Sequence, residues 1–319
     1  MMASIINKKE ILDIVDSVDV TSAMEKGFVA YSAGKTVVPP VAELLFEEPK
    51  GETHIKYGYI KGEEFFCVKI ASGFYGNTNF GISSSQGLML LFNQKTGETR
   101  AVLLDDGHLT NIRTAAAGAL AAKYFAPRKI KSVGIIGTGI QGRLQLLHLQ
   151  KENLSKSVWV WGRNKDGAMK YKEELEGDFD IQIAESPSEL AANCNLIYTT
   201  TPAENPLLKA TDILPGTHIT AVGSDTPDKQ ELEGELVGKA DIVIADSIPQ
   251  SQSRGEIYRA VKAGKLNPEK VVELGNAIQN KALQRSNDNQ ISVVDLTGVA
   301  VQDIMIAEAV YKAYQDLKN

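Results

Sequence analysis

The chain has 319 residues, which is enough for about two domains of ordinary size. Its 34 basic and 40 acidic side chains give a net charge of −6, so nothing in the charge favours nucleic-acid binding. Two distant cysteines and four histidines without zinc-site spacing predict neither a disulfide framework nor a metal site, and no apolar run is long enough to span a bilayer. These features predict a cytoplasmic globular protein without a membrane partner.

The first 125 residues have the pattern of a mixed α/β domain. Residues 8–32 carry apolar side chains at helical intervals, and Asp19 and Thr21 are candidate caps for a second helix within that range. Strand-like segments separated by glycine-containing turns then predict a mostly antiparallel sheet: THIKYGYI, EFFCVKIAS, GLMLLFN and TRAVLLDD. The alanine-rich segment 111–125 predicts a closely packed helix.

The pattern changes after residue 126. Short β-branched strands alternate there with helical segments, which is typical of βαβ units in a parallel sheet. The predicted strands are 132–137, 157–161, 181–184, 196–200, 218–222 and 242–245. A final helix is predicted over 303–316, and we expect it to pack on the first domain. The predicted fold is α/β, with a doubly wound parallel sheet over 126–299 and a smaller domain of 1–125 and 300–319.

The sharpest motif is a glycine triplet between a strand and a helix, in KSVGIIGTGIQGRLQLL. Gly137, Gly139 and Gly142 form G-x-G-x-x-G, the spacing of a dinucleotide-binding turn. Its glycines allow a tight turn, backbone approach to a pyrophosphate, and close packing of helix on strand. The flanking strand and helix favour this interpretation over a purely structural turn.

The choice of dinucleotide depends on the end of the next strand, VWVWGRN. Trp161 and Gly162 stand where an acidic residue would bind the ribose of NAD(H), and Arg163 follows where a 2′-phosphate would lie. The sequence therefore favours NADP(H) and leaves NAD(H) open. An ordinary exposed arginine is the alternative.

Several charged residues are candidates for substrate chemistry. Asp225 follows a predicted strand at the edge where ligands bind to open parallel sheets, so it could exchange a proton with substrate, or it could simply shape a turn. In the first domain His54, Lys56, Lys69 and Arg113 could bind an anion together. The alternative for each cation is an internal salt bridge.

The motifs LTNIRTAAAGALAAKYFAP, GIIGTGIQG, TTTPAENPLL, GTHITAVGSDTPDKQELEGEL and VVDLTGVAVQDIMIAEAVY together resemble the ornithine cyclodeaminase/mu-crystallin family. The resemblance runs through nearly the whole chain. It implies a Rossmann domain and a substrate-binding domain that also forms a homodimer. Family members move a hydride between a nicotinamide and the α-carbon of an amino or imino acid.

The resemblance also implies roles for individual residues. Lys69 and Arg113 match carboxylate-binding positions, with Lys69 also catalytic, and Asp225 matches the acid that handles the substrate nitrogen. Thr297 stands near a position that faces the nicotinamide and is a predicted substrate contact. The cofactor-binding residues predicted in this way, together with the glycine motif and Arg163, are Ser84, Arg113, Thr114, Gly137, Gly139, Ile140, Gln141, Gly142, Arg163, Thr201, Val222, Gly223, Asp225 and Lys229.

One departure from the family pattern bears on the substrate. Many members carry a basic residue after the Pro-Pro turn, but this chain has Val41-Ala42-Glu43 there, and His54 and Lys56 are candidates to replace the missing cation. The segments GETHIKYGY and VKIASGFYGN are most similar to the branch of the family that contains the iminosuccinate reductases, and four cations also suit a dicarboxylate. The resemblance therefore implies reduction of iminosuccinate to aspartate as the preferred reaction. The alternatives are a cyclodeaminase, which would need an acidic partner for a distal amine, and a non-enzymatic dinucleotide-binding protein, which would not need Asp225.

Overall fold

The computed structural model describes residues 3–151 and 155–318. The chain divides into two compact units, Met1–Arg113 with Val299–Asn319 and Thr114–Gly298. The division falls inside a helix, whereas the boundary expected near residue 126 lies at the end of that helix. Among the described residues, no helix has both the length and the apolar character needed to cross a membrane.

The first unit begins with a short strand and two helices, followed by six strands. Its elements are β1 (Ser4–Asn7), α1 (Lys8–Val15), α2 (Val20–Ser32), β2 (Thr36–Val37), β3 (Ala42–Phe46), β4 (Gly51–Ile60), β5 (Phe65–Phe74), β6 (Ser85–Asn93), β7 (Thr99–Leu104) and α3 (His108–Phe125). The carboxylate of Asp19 accepts a hydrogen bond from the Ser22 amide, so Asp19 does cap a second helix. A 3₁₀ helix connects β5 to β6.

In the described part of the chain, these strands form a seven-stranded sheet in the order β1-β7-β6-β5-β4-β2, with β3 also paired to β4. The four predicted strands are β4 to β7, which pair antiparallel in sequence order as expected. Strand β1 was not predicted, and it pairs parallel with β7. Strand β3 was not predicted either, because its residues are all exposed and show no apolar alternation.

One face of this sheet is buried and carries two lysines. A single cross-strand row runs through Lys56, Lys69, Met89, Leu103 and Ile6, all of them buried. Residues directly opposite one another in adjacent strands point to the same face, so the two lysines are neighbours there. The buried face therefore combines an apolar core with a pair of like charges.

The opposite face is apolar but only partly covered. The next row runs through Tyr57, Val68, Leu90, Val102 and Ile5, and its two end residues are exposed. Strand residues that alternate between faces normally place polar side chains on a solvated face. An apolar outer row is typical of a surface that another protein covers.

The second unit is built on parallel strands connected largely by helices. Its elements are β8 (Val133–Ile136), α4 (Ile140–Lys151), β9 (Ser157–Trp161), α5 (Lys165–Leu175), β10 (Asp180–Ile183), α6 (Pro187–Asn193), β11 (Leu196–Thr199), β12 (His218–Ala221), α7 (Gly234–Lys239), β13 (Ile242–Ala245), α8 (Gly255–Lys262), β14 (Val271–Glu273), α9 (Leu274–Gln279) and β15 (Ser292–Asp295). Three short 3₁₀ helices lie between α7 and β15. All six predicted strands are present, whereas β14, β15 and α7 to α9 were not predicted.

The strands of this unit pair in parallel in the order β10-β9-β8-β11-β12-β15-β13-β14 within the described residues. Apolar side chains pack on both faces of the sheet: Leu196 and Tyr198 join the core that contains α4 and α5, and Ile197 joins the core that contains α6 to α8. The predicted α/β fold class with a doubly wound parallel sheet is confirmed. The strand order reverses between β8 and β11, the place where such sheets bind ligands.

The last helix, α10 (Ala300–Lys318), belongs to the first unit. It begins three residues before the predicted start at Asp303 and packs across β4, β5 and β6 and against α2. A side chain at Gly27 of α2 would collide with Met305, so glycine allows the two helices to approach closely. Helix α10 therefore covers the buried, lysine-bearing face of the sheet.

Candidate active site

A buried ionic cluster joins the sheet of the first unit to helix α10. Lys69 Nζ and Arg113 Nε both lie 3.1 Å from Oδ1 of Asp303. The three side chains are only 2%, 5% and 1% exposed, respectively. Gln302 accepts a further hydrogen bond from Arg113 Nη1 at 2.9 Å. The structure thus brings together the two predicted carboxylate-binding cations, and the salt bridge that sequence reasoning kept as an alternative is present.

The surroundings of Lys69 lower the pKa of its ammonium group. Burial lowers the pKa of Lys69 to about 8, with the nearby charge of Arg113 acting in the same direction and Asp303 opposing both. The ammonium is therefore charged at neutral pH and loses its charge under mildly alkaline conditions. A buried cation of this kind is suited to binding a carboxylate.

Asp303 is a functional candidate that sequence reasoning missed. An acidic residue in the first turn of a helix is usually explained by the helix dipole, and Asp303 lies in the first turn of α10. The available signal was its setting in VAVQDIMIAEAVY, where an acid interrupts an apolar helix. Its partners lie on β5 and α3, far away in sequence.

The other two predicted cations lie on β4. Lys56 is buried and directly opposite Lys69. His54 points to the same face, but it lies between two carboxylates, with Nδ1 3.2 Å from Glu43 and Nε2 3.7 Å from Glu52. The structure therefore places Lys56 beside Lys69, and it gives His54 acidic neighbours within the protein.

In the second unit, the glycine motif lies between β8 and α4. Gly137 has φ +118°, and a side chain there would clash with Thr200, while a side chain at Gly142 would clash with the Gly137 carbonyl. These two glycines are required by the turn itself. A Cβ at Gly139, in contrast, would enter open space. Protein packing therefore gives no reason for glycine at position 139, and the space beside it is where this motif is expected to admit a pyrophosphate.

A second loop, after β12, carries Asp225. Lys229 Nζ lies 2.7 Å from Asp225 Oδ1, and the side chain of Asp225 is 40% exposed. A side chain at Gly223 would clash with the backbone of Thr201, in the loop after β11, so glycine lets these two loops touch. Asp225, Lys229, Gly223 and Thr201 therefore lie together, on the loops that follow two adjacent strands.

The remaining predicted contacts lie on both units. Thr297 is buried after β15, and its hydroxyl donates a hydrogen bond to Asp246 at 2.9 Å. Ile140 and Gln141 begin α4, Val222 directly follows β12, and Arg163 is exposed after β9. Thr114 lies in α3, where its carbonyl accepts a hydrogen bond from Gln145. Ser84 precedes β6, and its carbonyl accepts a hydrogen bond from Phe74.

Comparison with known proteins decides the family. The model of the ornithine cyclodeaminase/mu-crystallin family matches residues 2–318. The chain belongs to this family. It is 34% identical to the alanine dehydrogenase of Archaeoglobus fulgidus, over 98% of this chain and 95% of that one. It is 30% identical to the iminosuccinate reductase of Paracoccus denitrificans, over 96% and 95% of the two chains.

Solved structures of the family have the same fold. An archaeal alanine dehydrogenase dimer with bound NAD superposes with a TM-score of 0.89 at 31% identity, over 100% of this chain and 98% of that one. The Δ1-pyrroline-2-carboxylate reductase of Thermococcus litoralis, in complex with NADH and L-proline, superposes with a TM-score of 0.91 at 27% identity, over 99% and 98%. The predictions of the family and of an enzyme are thereby confirmed.

Proposed function

We propose that this family member is an NAD(P)H-dependent imino-acid reductase that also runs in reverse as an amino-acid dehydrogenase. A bound reduced nicotinamide supplies the hydride, which forms the new C–H bond at the imine carbon. The substrate nitrogen takes up a proton, so that an imine, a hydride and a proton give an amine. The observation that carries the proposal is the ionic cluster of Lys69 and Arg113 in a family of dehydrogenases and reductases.

The glycine motif fits a dinucleotide. Gly139 leaves open space above the turn, and a pyrophosphate there would lie at the N-terminus of α4, where the helix dipole favours an anion. Gln141, Thr201, Val222 and Lys229 are further cofactor contacts in this proposal. Exposed Arg163 favours NADP(H), while the related structures contain NAD, NADH or NAD⁺. The activity test therefore uses both NADH and NADPH.

The chain's own charged residues take the remaining roles. Lys69 and Arg113 bind the α-carboxylate and orient the substrate, with Asp303 holding both cations in place. Asp225, partly exposed and paired with Lys229, exchanges the proton with the substrate nitrogen. Thr297 contributes a contact to the substrate.

The two neighbouring lysines favour a dicarboxylic substrate. Each carboxylate of a dicarboxylic substrate takes charge-assisted hydrogen bonds from a cation. Lys56 and Lys69 lie directly opposite one another on the buried face, so two cations are side by side there. We therefore assign the second carboxylate of the substrate to Lys56. His54, which lies between Glu43 and Glu52, is a further cation for the same carboxylate. Iminosuccinate, reduced to aspartate, is the preferred substrate.

The test measures oxidation of NADH and NADPH with a panel of 2-oxo acids and ammonia. We expect the highest kcat/KM with oxaloacetate, which forms iminosuccinate with ammonia. Lys56→Met should lower kcat/KM for oxaloacetate by at least about tenfold, the loss of one charge-assisted contact, and leave pyruvate nearly unchanged. Lys61→Met, an exposed lysine of the same unit, is the control.

Each other outcome of this panel has a definite meaning. Turnover of pyruvate but not oxaloacetate would refute the dicarboxylate and keep the reductase. No turnover of any substrate would refute the reductase itself. Release of ammonia from ornithine, without net change in NADH, would identify a cyclodeaminase, the name carried by an uncharacterised relative from Sinorhizobium fredii that is 35% identical over 98% of this chain and 96% of that one.

We further propose a homodimer that works in the cytoplasm. The exposed apolar face of the first unit's sheet supports the dimer, because a second copy could cover it. The two cysteines, Cys67 and Cys194, are buried free thiols, which suits a reducing compartment.

A further inference from the structure

The turn that carries Asp225 is held in place by buried charged side chains. The Gly223 amide donates a hydrogen bond to Glu231 Oε2 at 2.9 Å, and the Ser224 hydroxyl donates one to Glu256 Oε1. The carbonyl of Asp225 itself accepts a hydrogen bond from Arg254 at 3.2 Å. Each residue of the Gly-Ser-Asp turn therefore has an anchor within the second unit.

Glu231 also holds the neighbouring loop. Its Oε1 accepts hydrogen bonds from the amide of Thr201 at 2.6 Å and from the hydroxyl of Thr201 at 2.7 Å. One fully buried carboxylate thus joins the loops after β11 and β12. These loops carry Thr201 and Asp225, which the proposed function assigns to the cofactor and to the proton.

Glu256 in turn supports Glu231. Its oxygens accept the amide of Glu231 at 2.7 Å and the amide of Leu232 at 3.0 Å. Burial raises the pKa of both side chains, and the charge of Glu256 adds to the rise at Glu231, while the hydrogen bonds that both carboxylates accept oppose it. Two buried acids side by side cost stability. The hydrogen bonds that Glu231 and Glu256 accept from the two loops indicate that the pair fixes the positions of these loops.

We propose that Glu231 is a positioning residue for the active site. With Glu256 behind it, Glu231 sets the separation of the loops after β11 and β12, and so places Thr201 and Asp225 for cofactor binding and proton transfer. The proposal rests on the proposed function for the roles of Thr201 and Asp225. The hydrogen bonds themselves do not depend on those roles.

Glu231→Gln tests this role. One oxygen remains as an acceptor, but the amide NH₂ faces a backbone N–H, so either Thr201 or Gly223 loses its partner. We expect a rise of about tenfold or more in the Kd of NADH and a fall of about 10²-fold in kcat, the effect of misplacing a reacting group by about 1 Å. The KM of the 2-oxo acid should change little, because its ligands Lys69 and Arg113 belong to the other unit.

A second measurement does not need activity. Hydrogen exchange of the ligand-free protein should be faster in Glu231→Gln at residues 200–203 and 222–226 and unchanged elsewhere. Glu235→Gln is the matched control, because Glu235 is a surface residue of α7 paired with Lys239 at 3.1 Å. If Glu231→Gln fails to fold, Glu231→Asp keeps the carboxyl group but moves its oxygens back from Thr201 and Gly223 by one methylene, and it should lower kcat and raise the Kd of NADH.

The outcomes separate the two proposals. If the wild-type protein neither binds NADH nor turns over any substrate, the proposed function fails and the positioning role fails with it. If the wild-type protein both binds NADH and turns over a substrate, and Glu231→Gln or Glu231→Asp behaves like Glu235→Gln, the positioning role alone is wrong. A uniform increase in hydrogen exchange across the second unit would also overturn it, since that result indicates general destabilisation.

Discussion

A single acidic residue, Asp303, is the ion-pair partner of both candidate carboxylate-binding cations. It lies 3.1 Å from Lys69 and from Arg113, and it is the largest of the influences that oppose the effect of burial on the pKa of Lys69. Removing one partner from a buried ionic cluster leaves an uncompensated charge, which costs about 3–5 kcal/mol. Asp303 therefore contributes both to the stability of the first unit and to the protonation of Lys69.

This arrangement predicts an alkaline limit to substrate binding. With its pKa lowered to about 8, Lys69 is charged below that pH and neutral above it, so affinity for a carboxylate is present at neutral pH and lost as the pH rises. We expect KM for the 2-oxo acid to rise about tenfold per pH unit above the midpoint. Asp303→Asn should move the midpoint to lower pH, because the anion that favours the charged lysine is gone.

Two further variants complete this experiment. Lys69→Arg should abolish the rise of KM at alkaline pH (the alkaline limb of the pH profile), because arginine stays charged over the whole pH range. Asp106→Asn, which removes a partly exposed carboxylate paired with Lys8, should leave the limb in place. An unchanged pH profile in Lys69→Arg would show that another group causes the limb.

At the scale of elements, the glycine triplet of the second unit divides into two kinds of position. Gly137 and Gly142 are required by the geometry of the turn, through a positive φ or through close backbone contacts. Gly139 has a φ that other residues can adopt and open space where a side chain would be. The motif therefore combines two positions where the fold requires glycine with one where it does not, and our proposal assigns that third position to the dinucleotide.

This difference predicts opposite results for two similar substitutions. Gly139→Ala should weaken NADH binding by about tenfold or more while leaving the Tm nearly unchanged, because the new methyl group meets only the pyrophosphate. Gly137→Ala should instead destabilise the protein by about 1–3 kcal/mol. Fluorescence titration with NADH and thermal unfolding measure the two effects, with Gly177→Ala, another glycine in open space, as the control. Equal NADH affinity in Gly139→Ala and wild type would contradict this role of Gly139.

The elements differ in how far the sequence predicts them. Strand β9 was predicted at both ends, since its alternation of valine and tryptophan is local information. Strand β15 was missed although it lies between β12 and β13, because its position depends on pairing with strands distant in sequence. The residues of the candidate site show the same contrast between local signals and contacts that are distant in sequence. Lys69 stands out as a cation in a buried strand, whereas Asp303 acquires its role only where α10 covers that strand.

At the scale of the whole molecule, the two faces of the first unit's sheet have different purposes. The face under α10 carries Lys56 and Lys69, and the other carries the apolar row from Tyr57 to Ile5. A strand has a period of two residues, so neighbouring side chains along one strand alternate between the proposed substrate site and the outer surface. A change in register would exchange the two faces and disrupt both functions.

The outer face predicts how the protein assembles. If a second copy covers it, introducing charge there should separate the dimer without unfolding the chain, because buried unpaired charges at an interface are costly. Ile5 is 65% exposed and Leu104, on the same face, is 41% exposed, so Ile5→Glu with Leu104→Glu should be tolerated by the monomer. Light scattering coupled to size exclusion should show a dimer for wild type and a monomer for this variant. Leu317→Glu, at a 72% exposed position of α10, should remain dimeric. A monomeric wild type would refute the dimer, and a dimeric double variant would place its interface elsewhere.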